Sequence, residues 1–214
     1  MLKNIDAVIF DMDGTLVDSM WVWAEVDRDF LGERGWEVPA DLGKEIEGLS
    51  FEQTADYFLN RFPLDMTKEE LMQIWVDMCH EAYRTKVLYK PGAFEFIKYL
   101  KEKGYKIGIA TSNARELVDL VGNALGFLPY IDEIATSEDV PNGKPAPDIY
   151  LYVADKLNVS PERCLVFEDV PNGLRAGNAA GMFTCAVRDE FSAEWDDEKR
   201  ELSNYFIQSY MELL

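Results

Sequence analysis

Basic residues are scarce in this sequence. Its 214 residues include 40 Asp and Glu but only 21 Lys and Arg, which gives a formal net charge of −19 at pH 7. Such a charge repels phosphate backbones and anionic lipid headgroups, so we expect neither nucleic acid nor a membrane surface as a partner. The acidic excess is uneven: residues 17–85 carry a net −10 and residues 189–214 a net −6. The rest of the chain is therefore close to neutral.

Cysteine, histidine and long apolar runs are also scarce. The three cysteines, Cys79, Cys164 and Cys185, are too few and too scattered for a disulfide framework or a zinc site, and they indicate a reducing cytoplasm. The single histidine, His80, lies in a predicted helix, and we expect no catalytic role for it. No apolar stretch approaches the ~20 residues that span a bilayer, and the N-terminus lacks the apolar core of a signal peptide. We therefore expect a cytoplasmic protein.

A short apolar run at residues 7–10 ends at Asp11, with a second carboxylate at Asp13 and then Gly14. Such a run before a turn signal is typical of a buried strand in a parallel sheet, and ligands of open α/β sheets bind beyond the carboxyl ends of the strands. Two carboxylates there can share a cation, or divide the roles of nucleophile and acid. The same residues also suit an ordinary polar turn, because Asp and Gly are common in turns for backbone reasons. The rest of the chain has to decide between these interpretations.

The sequence pattern changes near residue 85. Residues 17–85 show helical periodicity and no convincing strand, with capping boxes that begin at Ser50 and Thr67. Strands are predicted at residues 106–110, 131–135, 164–167 and 182–187, with helices between them. Strands that alternate with helices indicate a parallel sheet with right-handed crossovers. The segment from residue 190 onward is interpreted as peripheral helix.

The helical segment interrupts the α/β pattern directly after its first strand, which indicates an insertion and not a separate N-terminal domain. We assign residues 1–16 and 86–214 to an α/β core domain, and residues 17–85 to an inserted helical cap. The chain would cross between the two domains near residues 15–19 and 83–90, and these crossings are candidate hinges.

Candidate site residues follow three of the predicted strands and occupy one loop. They are Asp11 and Asp13, then Thr111, Ser112 and Asn113, then Lys144, then Glu168 and Asp169. Each has an ordinary alternative: Asn113 has the spacing of a helix cap with Glu116, the lysine suits a solvated loop, and the acidic pair suits a polar turn. Chance is a poor explanation for all of them at one edge of one sheet. Together they provide carboxylates for a divalent cation, hydroxyl donors and a fixed positive charge, the groups that phosphoryl transfer requires.

On these residues the chain resembles the haloacid dehalogenase-like hydrolases, in the phosphatase branch with an inserted helical cap. The resemblance rests on D-M-D-G-T-L-V at residues 11–17, the strand-ending Thr111, the lysine of G-K-P-A-P at residues 143–147, and the pair Glu168 and Asp169. It covers nearly the whole chain and points to the β-phosphoglucomutase-like subgroup. It implies an α/β fold with a Rossmann-like parallel sheet in strand order 3-2-1-4-5, and a small-molecule phosphate ester as the substrate.

The resemblance implies a role for each carboxylate. Asp11 would be the nucleophile that forms an aspartyl-phosphate, and Asp13 would be the general acid and then the base that activates water. Mg²⁺ would be bound by Asp11, the backbone carbonyl of Asp13, and Asp169. Glu168 would be either a further ligand, directly or through water, or a group behind the ligands.

The resemblance also implies that Thr111, Ser112 and Lys144 hold the phosphoryl oxygens. Lys144 would in addition offset the charge of Asp11, so that two anions can approach each other in a site of low dielectric constant. The acid at Asp13 favours phosphate esters over haloacids, since the resembling dehalogenases lack an acid there and halide leaves without a proton.

The sequence departs from the mutase pattern in the helical cap. Trp23 stands where the resembling sugar-phosphate mutases carry a histidine, and residues 48–51 lack their arginine for a second phosphate. Hydrolysis is therefore favoured over the alternative, a sugar-phosphate mutase; a non-catalytic binding module is disfavoured by the intact motifs. Trp23, Ser50 and Asn113 are candidate substrate contacts, although Trp23 also has the helical spacing of a residue in the core of the helical cap.

Overall fold

The computed structural model describes residues 1–46 and 49–214, and within them it contains two sheets and nine α-helices. The strands are β1 (Ala7–Phe10), β2 (Val17–Asp18), β3 (Leu88–Tyr89), β4 (Lys106–Ala110), β5 (Glu133–Ala135), β6 (Cys164–Glu168), β7 (Phe183–Val187) and β8 (Tyr205–Ile207). The helices are α1 (Met20–Gly32), α2 (Leu42–Ile46), α3 (Phe51–Arg61), α4 (Lys68–Thr85), α5 (Ala93–Glu102), α6 (Arg115–Leu125), α7 (Asp148–Leu157), α8 (Pro171–Ala179) and α9 (Asp196–Leu202). No helix among these residues is both long enough and apolar enough to cross a bilayer.

The main sheet has six parallel strands in the order β5-β4-β1-β6-β7-β8. The central strand, β1, is buried along its whole length, as expected of a parallel strand covered on both faces. Val8 and Phe10 pack into the hydrophobic core on one face, whereas Ala7 and Ile9 pack into a second core on the other. Counted along the core, the strand order is 3-2-1-4-5-6. The predicted α/β fold and its order 3-2-1-4-5 are confirmed, with one further strand at the edge.

That sixth strand corrects the prediction that residues from 190 onward form peripheral helix. The segment contains α9, but β8 follows it and pairs with β7. Asn204 aligns the two strands: its N–H donates to the Thr184 carbonyl (3.0 Å), and its side-chain oxygen accepts from the Thr184 N–H (2.8 Å). A three-residue edge strand is too short to show the alternation by which a strand is identified in sequence.

A second correction concerns the helical segment, which was predicted to contain no strand. Its first residues form β2, which pairs antiparallel with β3 in a two-stranded ribbon. The ribbon joins the two candidate hinges to each other. Because β3 lies beyond residue 85, where the predicted helical cap ends, the ribbon includes residues of both predicted domains. The residue limits of the two domains stay a prediction.

The described part of the helical cap contains α1 to α4, which share an aromatic core. Phe58 and Trp75 contact edge to face with ring centroids 4.9 Å apart. Phe30 and Phe51 lie against the same indole, at 6.0 and 5.8 Å. Both predicted capping boxes are present, at the N-termini of α3 and α4. The capping boxes provide hydrogen-bond partners for backbone N–H groups at these helix ends, and the shared aromatic core packs the helices together. The helical cap therefore forms a well-packed wall opposite the sheet edge.

The carboxyl ends of three neighbouring strands meet at that edge of the sheet. Phe10 of β1 is paired with Ile109 of β4 and with Phe167 of β6. The residues that follow, Asp11 after β1 and Thr111 after β4, therefore emerge at the same level as Glu168, the last residue of β6. The sheet register brings together residues that are far apart in sequence.

Gly108 provides a test of how closely α7 packs on the sheet. A Cβ at this position would lie 2.4 Å from Val153 Cγ1 and 3.4 Å from Leu157 Cδ1. We expect Gly108→Ala to lower the free energy of unfolding by about 1–3 kcal/mol, because overpacking forces side chains off their rotamers. Urea denaturation measures this loss. Gly32→Ala is the matched control, since a Cβ there meets nothing within 4 Å and Ala favours helix by up to about 1 kcal/mol. Equal losses in the two variants would contradict the close packing.

Candidate active site

The loop after β1 is folded tightly around Asp169, the carboxylate that follows the neighbouring strand β6. The Asp11 N–H donates to the Phe167 carbonyl at 2.9 Å, which continues the β1–β6 pairing into the loop. Gly14 has φ +77°, and a Cβ there would lie 2.4 Å from Asp169 Oδ2. The hydroxyl of Thr15 donates to Asp169 Oδ1 at 3.0 Å. Gly14 is therefore required both by the left-handed backbone and by the close approach of Asp169.

Lys144 lies between two buried carboxylates. Its Nζ is 2.6 Å from Asp11 Oδ1 and 2.6 Å from Glu168 Oε1, and it also donates to the Ala110 carbonyl at 3.2 Å. Burial disfavours the ammonium, but the charges and hydrogen bonds of Asp11 and Glu168 outweigh that effect and raise the pKa of Lys144 above its usual value. The lysine is therefore a permanent positive charge beside Asp11.

Glu168 is held on both of its oxygens. Oε1 accepts from Lys144 and from the Tyr150 hydroxyl (2.8 Å), and Oε2 accepts from the N–H groups of Asp169 (3.0 Å) and Val170 (3.4 Å). A Cβ at Gly173 would lie only 1.8 Å from Glu168 Oε1, so a glycine there leaves room for the carboxylate. These contacts favour the second alternative for Glu168, a group behind the ligands that positions the lysine.

Three buried carboxylates could hold a metal ion. One oxygen from each of Asp11, Glu168 and Asp169 lies within 4.8 Å of the others. Burial raises the pKa of Asp11 to about 8 in spite of Lys144, and burial together with the charges of Glu168 and Asp11 raises the pKa of Asp169 well above its usual value. A lone lysine does not balance this negative charge, so the donor set fits a hard divalent cation with oxygen ligands. Within residues 1–46 and 49–214, neither Asp11 Oδ2 nor Asp169 Oδ2 accepts a hydrogen bond.

Asp13 is surrounded by hydrogen-bond donors from three separate parts of the chain. Oδ1 accepts from the Ser19 hydroxyl (2.6 Å) and from the hydroxyl of Tyr83 in α4, and Oδ2 accepts from Asn113 Nδ2 (2.8 Å). Burial, and then the charge of Asp13, raises the pKa of Tyr83 well above its usual value, so the tyrosine stays a neutral donor. The contact means that a residue of the helical cap takes part in fixing the side chain of Asp13.

Tyr83 is the main residue that sequence reasoning missed, and a signal for it exists. It continues the buried series Leu71, Trp75 and Cys79 at i, i+4 spacing on α4. The neighbouring Ala82, by contrast, is only partly buried. A tyrosine on the apolar face of a helix has a hydroxyl that needs a partner, and Asp13 is that partner here. Thr15, Ser19 and Tyr150 were missed as well, and their sequence context carries no comparable signal.

The loop after β4 is placed beside the carboxylates. Thr111 is buried and Ser112 partly buried, and the Thr111 hydroxyl oxygen accepts from the Asn113 N–H at 3.1 Å. The helix-cap alternative for Asn113 is wrong, because the N-cap of α6 is Ala114. The side-chain oxygen of Asn113 accepts from the Ala114 N–H (2.7 Å), and its Nδ2 donates to Asp13 and to the Tyr83 hydroxyl.

A cavity of about 340 Å³ separates this sheet edge from the helical cap. Its floor is formed by Asp11, Asp13, Thr111, Ser112, Asn113, Lys144, Glu168 and Asp169, and its opposite wall includes Met20, Trp23, Asp27, Ile46, Leu49, Phe51, Thr54 and Trp75. Trp23 lines the cavity and also packs edge to face on Phe51, with ring centroids 5.9 Å apart. It therefore belongs to the core of the helical cap, and its contact with substrate stays a prediction. Ser50 is not part of the described cavity wall; its side chain caps α3. Of the predicted loop at residues 48–51, Gly48 lies outside the described residues.

Asp27 is the one acidic side chain on the helical-cap wall of the described cavity. It lies on α1 one turn beyond Trp23 and is partly buried. Burial raises its pKa to about 6. No hydrogen bond or ion pair to another described residue compensates this carboxylate.

Comparisons with known proteins agree with the architecture and the motifs. The sequence profile of the haloacid dehalogenase-like hydrolases matches residues 5–181, and the chain belongs to this family. It is 31% identical to a probable pseudouridine-5'-phosphatase of Drosophila melanogaster, over 88% of this chain and 84% of the relative. It is also 31% identical to a phosphorylated carbohydrates phosphatase of Thermotoga maritima, over 83% and 82%. The crystal structure of β-phosphoglucomutase from Clostridium difficile has a similar fold, with a TM-score of 0.82 and 25% identity over 98% of this chain and 93% of that one. The predicted family and its hydrolase class are confirmed.

The environment of Asp27 gives a pH-dependent prediction. Because burial raises its pKa from 3.8 to about 6 in the folded state, its contribution to stability is complete below about pH 4 and is lost as the pH rises through about 6. We expect wild type to lose about 1 kcal/mol of unfolding free energy relative to Asp27→Asn between pH 5 and pH 8. Urea denaturation of both proteins at the two pH values measures the difference. A difference that is the same at pH 5 and pH 8 would contradict an uncompensated, buried carboxylate.

Proposed function

We propose that the protein is a Mg²⁺-dependent phosphatase that hydrolyses a small phosphorylated metabolite through an aspartyl-phosphate on Asp11. The observation that carries the proposal is the set of contacts around Asp11: Lys144 on one oxygen, a free second oxygen, and the Asp169 carboxylate close by, all facing a cavity under the helical cap. The phosphatase names of the two relatives support the same reaction.

In the first step, the free Oδ2 of Asp11 attacks phosphorus as the bond to the ester oxygen breaks. The leaving oxygen takes a proton from Asp13 and departs as an alcohol. In the second step, water attacks the phosphorus of the aspartyl-phosphate and gives a proton to Asp13. The acyl-phosphate bond breaks, inorganic phosphate leaves, and both carboxyl groups return to their starting states.

The charge of the reacting phosphoryl group has to be balanced inside this acidic floor. Lys144 supplies one fixed positive charge, and Thr111 and Ser112 supply hydroxyl donors. Asp11, Asp169 and the backbone carbonyl of Asp13 are the groups that would hold Mg²⁺. When bound, Mg²⁺ offsets the carboxylate charges and polarises a phosphoryl oxygen. Glu168 stays behind the ligands and orients Lys144.

Asp13 has to be both acid and base, and its surroundings constrain that role. Both of its carboxylate oxygens accept hydrogen bonds, from Ser19, Tyr83 and Asn113. For Asp13 to reach the leaving oxygen, some of these contacts have to be released when substrate binds. Tyr83 is the donor that belongs to α4, so the freedom of the Asp13 side chain depends on the position of the helical cap.

A sugar-phosphate mutase is the alternative that the β-phosphoglucomutase likeness raises. A mutase has to hold a second phosphate away from Asp11. Among the described residues that line the cavity, Lys144 is the one cation, and it is engaged by Asp11 and Glu168. The absence of a second basic group on the described wall favours hydrolysis.

Two sequence-based assignments complete the proposal. Residues 17–85 form the helical cap and residues 1–16 with 86–214 form the catalytic core. The protein functions in the cytoplasm, which its three buried and unpaired cysteine thiols support.

Replacement of Asp11 tests the covalent step. We expect Asp11→Asn to lower kcat for p-nitrophenyl phosphate by about 10³-fold or more, because the amide cannot form the aspartyl-phosphate. Release of inorganic phosphate and of p-nitrophenol in the presence of Mg²⁺ measures the rate. Asp155→Asn, at an exposed position on α7, is the matched control and should keep wild-type activity. Activity retained by Asp11→Asn would exclude Asp11 as the nucleophile, and dependence on an added sugar bisphosphate without phosphate release would indicate a mutase.

Metal binding can be measured independently of turnover. At a Mg²⁺ concentration near 100 times Kd, the folded state gains about 2.7 kcal/mol, which corresponds to a rise of about 5–10 °C in Tm for a chain of this size. EDTA should reverse the rise and abolish hydrolysis. Asp169→Asn should show little or no rise, since it removes a ligand charge. KCl at equal ionic strength controls for screening, and an equal Mg²⁺-induced rise in wild type and Asp169→Asn would contradict the metal site.

A further inference from the structure

The cavity has two chemically different ends. The floor holds the charged groups of the proposed reaction, whereas most of the opposite wall is apolar and aromatic, with Trp23, Phe51 and Trp75 among its residues. Met20 lies near the floor, since a Cβ at Gly14 would be 3.1 Å from its Cγ. A phosphate bound at the floor would therefore direct its leaving group along α1, against this apolar wall.

Asp27 lies further along the same helix. It is seven residues beyond Met20, which is about 10 Å along the axis of α1. Both side chains line the cavity, consistent with i, i+7 positions on one helix face. A leaving group of about five or six non-hydrogen atoms, on a phosphate bound at the floor, would span this distance and bring its distal end to Asp27.

The Asp27 carboxylate has no partner within the described part of the chain. By contrast, Asp29 on the same helix is exposed and pairs with Arg28 at 3.0 Å. A partly buried carboxylate without a donor lowers stability unless a ligand supplies one, and the raised pKa of Asp27 reflects that cost. A ligand that donates a hydrogen bond to this carboxylate would therefore bind more tightly than a ligand that does not.

The same carboxylate disfavours anionic leaving groups. The described cavity wall already carries four carboxylates at the floor against the single charge of Lys144. A second phosphate or a carboxylate at the distal end of the substrate would face Asp27 with no cation to offset it. Like charges at that separation in a partly desolvated cavity repel strongly.

We propose that Asp27 is a specificity-determining residue that selects phosphate monoesters whose leaving group carries a hydroxyl or a cationic amine at its distal end, and rejects those with a second anion. The leaving group also has an apolar or planar face, which packs against the indole of Trp23. This inference rests on the proposed phosphatase function and narrows its substrate class to neutral or cationic leaving groups.

Four phosphate esters of matched length test the selection: 5-aminopentyl phosphate, 5-hydroxypentyl phosphate, hexyl phosphate and 6-phosphooxyhexanoate. They differ only in the distal group, which is an ammonium, a hydroxyl, a methyl or a carboxylate. Phosphate release at pH 7.5 and about 0.15 M ionic strength gives kcat/KM for each, with p-nitrophenyl phosphate as a general substrate. We expect the ammonium and hydroxyl esters to be the best substrates, and the ammonium ester to exceed the carboxylate ester by about 100-fold.

Asp27→Asn should reduce that ratio by about tenfold or more, because it removes the charge, while it keeps a hydrogen-bond acceptor for the hydroxyl ester. Asp27→Leu should remove the preference for the hydroxyl ester over the hexyl ester as well. Asp29→Asn is the matched control: it removes the same charge from the same helix at an exposed position and should leave all ratios unchanged.

The outcomes separate the two proposals. If p-nitrophenyl phosphate is hydrolysed but the ammonium-to-carboxylate ratio is near one, or is equal in wild type and Asp27→Asn, the selective role of Asp27 is overturned and the phosphatase function stands. If Asp29→Asn shifts the ratio as much as Asp27→Asn, the effect is a long-range field and the proposed contact is excluded. If wild type hydrolyses none of the esters, the phosphatase function itself fails.

Discussion

The structure depends on one buried ammonium group placed between two carboxylates. Lys144 has Asp11 on one side and Glu168 on the other, both at 2.6 Å. Such an arrangement is stable only when every member has further partners, because an unpaired charge in the interior is costly. The Tyr150 hydroxyl and two backbone N–H groups provide these partners for Glu168. The second carboxylate oxygen of Asp11 is thereby held in one position, which suits its proposed role as the nucleophile.

The acidic surplus around this group explains the rest of the site. Asp169 adds a further buried carboxylate, and a fixed lysine cannot neutralise all of them. In the proposed function, a divalent cation would supply the positive charge that the lysine cannot. The cavity lies between the sheet edge and the helical cap, and exclusion of water there would strengthen every electrostatic interaction within it. The lysine, the proposed metal and the cavity would then serve one requirement, the burial of a phosphoryl group among carboxylates.

The floor of the site could be predicted from sequence because its residues follow strands, and the ends of parallel strands meet by geometry. Asp11 and Asp169 required only that reasoning. The spacing on α4 marks Tyr83 as buried, but its partner could not be predicted. Tyr83 lies 70 residues from Asp13, and the contact depends on how α4 packs against the sheet. The function of Glu168 also stayed open, since its donors come from a loop and from α7. The strands β2, β3 and β8 escaped detection because two or three residues show no periodicity.

The β2–β3 ribbon has a consequence for how such a protein can change. It places residues 17–18 and 88–89 next to each other in space, so that the main sheet is joined to the helical segment between them as it would be to a hairpin loop. The entropy of closing a loop rises only slowly with its length, and a longer, shorter or different helical unit can occupy this place without altering the register of the six strands. In the proposed function the reaction takes place at the sheet edge and the helical segment contributes to the choice of substrate, so that the two properties can change independently.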